Sequence, residues 1–116
     1  MLGAIAARCP QFLPYAQFCY GAATPLLSSS GCIQSRKGTQ QGDVCGPLFF
    51  AVTVHALAAE AAQAPGTSWA AWYLDDGSQA GSISSLAAVM EKLEPAAACL
   101  GLKLNRGKCK LWGPDM

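Results

Sequence analysis

Residues 70–81 read "AAWYLDDGSQAG". An apolar run ends in two adjacent acids, Asp75 and Asp76, and a glycine, Gly77, follows at once. Asp-Gly is a strong type I′ turn signal, so the stretch predicts a β-hairpin with its turn at Asp76–Gly77. The bend matters because neighbouring residues on a regular strand point to opposite faces. Two consecutive carboxylates therefore converge only where the chain turns. Such a pair suits a hydrated divalent cation, Mg²⁺ or Mn²⁺, which is commonly held by one or two carboxylates together with substrate phosphates. A cation would also relieve the repulsion between the two charges. The same residues equally suit a plain hairpin tip, since Asp is a good turn residue in its own right.

Upstream, "TSWAAWYL" has the aromatic content of a strand and is bounded by the turn residues "APG". "GSQAGSI" is its polar, weaker return strand. Before "APG" lies "PLFFAVTVHALAAEAAQ", residues 47–63, which predicts a helix. Pro47 suits a first helical position, and Leu48, Ala51, Val52, His55 and Ala59 share a face at helical spacing. The segment is apolar enough to be largely buried, with His55 as a core or boundary residue. After the hairpin, "SSLAAVMEKLEPAAACLG" predicts a second helix. Ser84 or Ser85 would cap it, and Leu86, Val89, Met90, Leu93 and Ala97 form its apolar stripe, with Glu91 and Lys92 facing away. Pro95 would kink or split it, and Gly101 would stop it. "LKLNRGKCKLW" alternates like two short strands around "NRG". Residues 1–20 read as a helix interrupted by Pro10 and Pro14, and "GAATPLLSSSGCIQS" as a strand or hairpin. Helices packed on one antiparallel sheet make an α+β fold.

Composition sets the bounds. The chain has 116 residues, 52% hydrophobic and 13% charged, which is enough apolar content for a packed core. The net charge of +1 leaves no global nucleic-acid footprint. Charge is nevertheless unevenly placed. No acid precedes Asp43, Arg36 and Lys37 stand just before it, and Lys103, Arg106, Lys108 and Lys110 cluster near the end. The six cysteines lack zinc-knuckle spacing. They read as reduced thiols serving mostly as small core residues, with a secreted disulfide scaffold as the alternative. The three tryptophans read first as core residues. No apolar run reaches the length of a membrane span, and "MLGAIAARCP" has its arginine on the wrong side for a signal peptide.

Between the basic pair and the first helix runs "GTQQGDVCGP". Gly38, Gly42 and Gly46 permit tight bends and close approach of a ligand, and Gln40 and Gln41 offer amide donors and acceptors. The loop feeds a helix N-terminus, where an anion is favoured. A plain surface loop is the other reading.

Taken in order, "GTQQGDVCGPLFFAV", "WYLDDG" and "LGLKLNRGKCKLW" resemble motifs B, C and D of the reverse transcriptase palm, most like those of non-LTR retrotransposons. The likeness covers roughly residues 36–112. It implies a partial palm over 1–116: a lead-in at 1–35, the motif B loop and helix at 36–63, the motif C hairpin at 68–81, and the motif D helix and hairpin at 84–112. It implies an α+β fold in which a small antiparallel sheet bearing the Y-x-D-D hairpin packs against helices. By resemblance Asp75 is the main metal ligand and Asp76 its partner on the same turn. Tyr73 packs near the primer end, and Gln41 and Gly42 lie against the incoming nucleotide, with Gly38 and Gly46 shaping the loop. Arg36 and Lys37 serve nucleotide or template binding. Lys108 is the proton donor to the leaving group. The implied activity is RNA-directed DNA synthesis by two-metal phosphoryl transfer. The implied partners are an RNA template, a DNA primer and deoxynucleotides, with no membrane. The implied location is intracellular and, for an enzyme of mobile elements, nuclear.

The family's first acidic motif has no counterpart here, because no acid precedes Asp43 and Asp43 belongs to motif B. The expectation is a C-terminal piece of a palm, without fingers or a thumb. Its Mg²⁺ binding is expected to be weak and its own polymerase activity nil unless a partner supplies the missing segment. A non-catalytic nucleic-acid-binding module and an inert retroelement remnant are the alternatives.

Overall fold

The computed structural model describes residues 1–114. Among them the order is α1 (Leu2–Arg8), a 3₁₀ turn (Pro10–Phe12), α2 (Leu13–Tyr20), β1 (Thr24–Ser28), β2 (Gly31–Ser35), α3 (Gly46–Ala62), β3 (Thr67–Tyr73), β4 (Asp76–Gly81), α4 (Ile83–Cys99) and a 3₁₀ turn (Arg106–Lys108). The class is α+β. The strands do not join one sheet: β1–β2 and β3–β4 are separate two-stranded antiparallel hairpins.

Proline placement explains the N-terminal third. Pro10 starts the 3₁₀ turn and Pro14 falls within the first two positions of α2, so each proline opens an element where its missing N–H costs nothing. Pro47 does the same for α3.

Helix α3 is the spine, packing against α1 at one end and against β3 and α4 at the other. Its N-terminal turns carry Phe49, which is fully buried with Ile5 and Ala16; Phe12, Leu13, Tyr20, Cys45 and Val52 close around them. Phe12 and Tyr20 meet the Phe49 ring edge-on, with centroids 6.5 and 6.2 Å away, and Tyr15 lies tilted at 6.1 Å. These are favourable aromatic geometries. At the far end, Ala61 on α3 and Val89 and Ala97 on α4 are buried.

The buried hydrophobic side chains of α3 are Phe49, Val54 and Ala61; of the expected face, Leu48, Ala51 and His55 are exposed, and Val52 and Ala59 are half-buried, Val52 against the Phe49 cluster. The helix is apolar or alanine on nearly every side, so periodicity alone does not select a face. His55 is accordingly a surface residue. Helix α4 keeps its expected stripe, because Glu91 and Lys92 mark its wet side. It remains one helix through Pro95. Its cap is Ser82, whose Oγ accepts the Ser85 N–H at 3.2 Å. Ser85 is instead buried and donates its hydroxyl to Pro65 O at 2.6 Å. At the other end, Leu102 N–H bonds Ala97 O and Gly101 N–H bonds Ala98 O, with Gly101 at φ +78°. This is the Schellman stop that glycine favours.

The expected C-terminal hairpin is absent. Residues 102–112 form no strand, and "NRG" becomes the start of the 3₁₀ turn. Alternation needs a partner strand to become a ladder, and here the segment is tied to α4 by the exposed Arg106–Glu94 ion pair. The cysteines are all free, but none is fully buried, and Cys32, Cys99 and Cys109 are exposed. Trp69 and Trp112 are exposed as well, so the cores use neither.

Candidate functional site

The acidic hairpin forms, but its turn lies two residues earlier than its dipeptide predicts. Tyr73 pairs with Asp76 and Trp72 with Gly77, leaving Leu74–Asp75 as a two-residue loop. Only Leu74 has a left-handed φ, +51°, so the loop is not type I′. Gly77 has another purpose: a Cβ there would come within 3.0 Å of the Trp72 ring. The indole covers the glycine across the ladder, as aromatic residues do over strand glycines. That contact sets the register, and Asp75 and Asp76 follow as loop residue and first strand residue. Both carboxylates are exposed, and so is Tyr73 beside them.

The base of this hairpin is fixed to the helices. Gln79 Nε2 donates to Ala61 O at 2.8 Å and to Thr67 Oγ1 at 2.7 Å. Gly66, at φ +82°, turns the chain where Ser85 reaches Pro65. The tip is thus an exposed projection on an anchored base.

The loop after Arg36–Lys37 is built around turns. Asp43 N–H bonds Gln40 O at 3.2 Å, with Gln41 and Gly42 as the central residues and Gly42 at φ +90°. That is the type II pattern, which needs glycine in the third place. Gly38 is also left-handed at φ +81°. Gly46 is buried because a Cβ would press on Gln40 O at 3.2 Å.

Asp43 holds this loop to the N-terminal helices. Its carboxylate accepts hydrogen bonds from Tyr15 Oη at 3.0 Å, from Tyr20 Oη, and from the Cys45 N–H at 3.0 Å. The Tyr20 hydroxyl also accepts the Gln40 N–H at 3.1 Å. These donors, Tyr20 foremost, hold the Asp43 carboxyl below its ordinary range. Burial and the Asp43 bond raise Tyr20, and hydrogen bonding to Cys19 and Asp43 raises Tyr15. Sequence reasoning missed this node. Its members stand 23 and 28 residues apart, and no local pattern links them.

The structure brings Tyr73, Asp75 and Asp76 together at one tip, and Arg36, Lys37 and Gly38 together on the wall of a cleft of about 580 Å³. Neither Asp75 nor Asp76 borders that cleft, and neither do Gln41 and Gly42, which are exposed at their turn. Lys108 is exposed in the C-terminal 3₁₀ turn and does not border the cleft. Among the described residues, no group of three or more His, Cys, Asp or Glu side chains could share a metal. Two carboxylates fit one hydrated Mg²⁺ that keeps most of its waters. They do not fit the pair of ions that clamps both oxygens of a phosphoryl transfer. No helix among the described residues is long and apolar enough to cross a membrane. No protein-family model, curated protein or solved structure matches the chain.

Proposed function

We propose that the chain is part of a reverse transcriptase palm, carrying the acidic hairpin that binds a divalent cation but not the full donor set for polymerisation. The observation that carries this reading is the two-residue loop at Leu74–Asp75, which puts two consecutive carboxylates at an exposed tip with Tyr73 opposite Asp76. The order of glycine loop, helix, acidic hairpin and helix supports it. In this reading Asp75 and Asp76 hold Mg²⁺ or Mn²⁺, and Gln41, Gly42, Gly38 and Tyr73 line the path of nucleotide and primer. Arg36 and Lys37 neutralise template phosphate, and Lys108 gives a proton to the leaving group. The metal, RNA template, DNA primer and deoxynucleotide are all part of the proposal.

The test is calorimetric titration of Mg²⁺ and Mn²⁺ into the chain and into Asp75→Asn/Asp76→Asn. Binding on the order of millimolar that disappears in the double variant supports the reading. Equal heats from both proteins reduce the tip to an ordinary turn. Primer extension by the chain alone is expected to be absent, and Mg²⁺-dependent extension that Asp75→Asn abolishes would overturn the incomplete donor set.

A further inference from the structure

The cleft beside Arg36 and Lys37 is not at the acidic hairpin. It lies where the end of β2, the start of the glycine loop, the middle of α3 and the stop of α4 meet, and it encloses about 580 Å³. That is within the size range of small-molecule sites, roughly 300–1,000 Å³. Its chemistry is one-sided. Arg36 and Lys37 stand on its wall, and no Asp or Glu lines it. Thr24, Ser35 and Thr39 also line it, as does Thr53, whose hydroxyl is donated to Phe49 O at 2.7 Å, and its floor is apolar with Phe50 and Val54. Asp43 accepts from Tyr20, which lines the cleft, and is further engaged by Tyr15 and the Cys45 N–H.

Two cations, neutral polar side chains and an apolar floor form a set that suits an anion carrying an apolar body. The charge meets the guanidinium and ammonium groups, a match suited to phosphate or carboxylate. The ring covers the floor. We propose that this cleft is a binding site for a small aromatic anion of the aryl phosphate type. The site is separate from the metal hairpin, since neither Asp75 nor Asp76 borders it, and it gives Arg36 and Lys37 an occupant other than the template phosphate of the polymerase reading.

The chain carries its own reporters. Cys99 is exposed on the cleft wall and Cys19 is half-buried there, whereas Cys32 and Cys109 are exposed elsewhere. The unmodified chain is alkylated with uncharged iodoacetamide, with and without phenyl phosphate, and the rate at each cysteine is read by mass spectrometry. At ten times the dissociation constant, labelling of Cys99 is expected to slow roughly tenfold, and Cys32 and Cys109 to keep their rates. Arg36→Gln/Lys37→Gln, two exposed positions, should label normally without ligand and lose the protection. Phenol should protect far less than phenyl phosphate, and inorganic phosphate less than the ester. Equal rates with and without phenyl phosphate would overturn the site. So would equal slowing at all exposed cysteines, undiminished protection in the double variant, or protection by phenol as good as by its phosphate. Each of these outcomes leaves the cation titration at Asp75–Asp76 untouched, so the two readings fail separately.

Discussion

At the scale of single residues, Asp43 is the most connected polar group near the glycine loop. Three donors converge on it, and one of them, Tyr20, also holds the loop backbone through Gln40. Tyr20→Phe keeps the ring against Phe49 and removes only the hydroxyl. That hydroxyl bonds both the Asp43 carboxylate and the Gln40 N–H, so the expected cost is about 1.5–3 kcal/mol, the worth of a bond to a charged group, read by chemical denaturation. The pH dependence has a definite sign. Asp43 titrates lower in the folded chain than its ordinary value near 4, so its stabilisation is complete above that value and is lost as pH falls through the folded value. Tyr20→Phe should shrink that acid-side loss, and an identical acid limb in both proteins would dissociate Asp43 from it. This node was illegible in the sequence because its partners are distant. The acidic hairpin was legible as a hairpin but misplaced by its dipeptide: Asp-Gly marks a turn only when no cross-strand contact claims the glycine, and here Trp72 does.

At the scale of elements, legibility followed contrast. Helix α4 has a wet side and a dry side, so its stripe was readable; α3 has almost no wet side, so its buried face was not. The 102–112 segment alternates like a strand but finds no strand beside it. Pro95 gives the clearest element-level prediction. It lies inside α4, where it removes the N–H that would bond the carbonyl one turn before and crowds that carbonyl. The position is exposed, so no packing depends on the ring. Pro95→Ala should therefore raise stability, by up to about 3 kcal/mol, seen as a higher melting temperature by far-UV circular dichroism. A lower melting temperature would mean that the ring at Pro95 supports the packing of Val89 and Ala97, the buried residues of α4. The capping serine carries the same lesson on a smaller scale: the sequence pointed to Ser84 or Ser85, but the helix starts earlier, Ser82 caps it, and Ser85 bonds Pro65 O instead.

At the scale of the molecule, the chain is loosely gathered. Its radius of gyration is 16.9 Å, against about 13 Å for a compact domain near this length. Among the described residues seven hydrophobic ones are buried, three of them alanines, while Phe18, Val44 and Trp112 are each more than four-fifths exposed. The burial is also divided. The Phe49 cluster joins α1, α2 and the start of α3, and the second group joins the end of α3 to α4. A single helix connecting two small cores is a poor conductor of cooperativity, so unfolding should depart from two-state behaviour. Phe49→Ala tests this directly. Removing a fully buried phenylalanine costs about 3–5 kcal/mol, comparable with the whole stability of a small domain. If the cores are independent, that loss falls on one of them. Tyr15 and Tyr20 pack on Phe49, so the tyrosine bands of the near-UV spectrum should vanish in the variant. Trp72, half-buried over Gly77 on the other hairpin, should keep its emission and its melting profile. Loss of both signals together would show one cooperative unit. The Asp43 latch, the anion cleft and the acidic hairpin would then share a single folding equilibrium, rather than the first two resting on the Phe49 core and the third on α3 and α4.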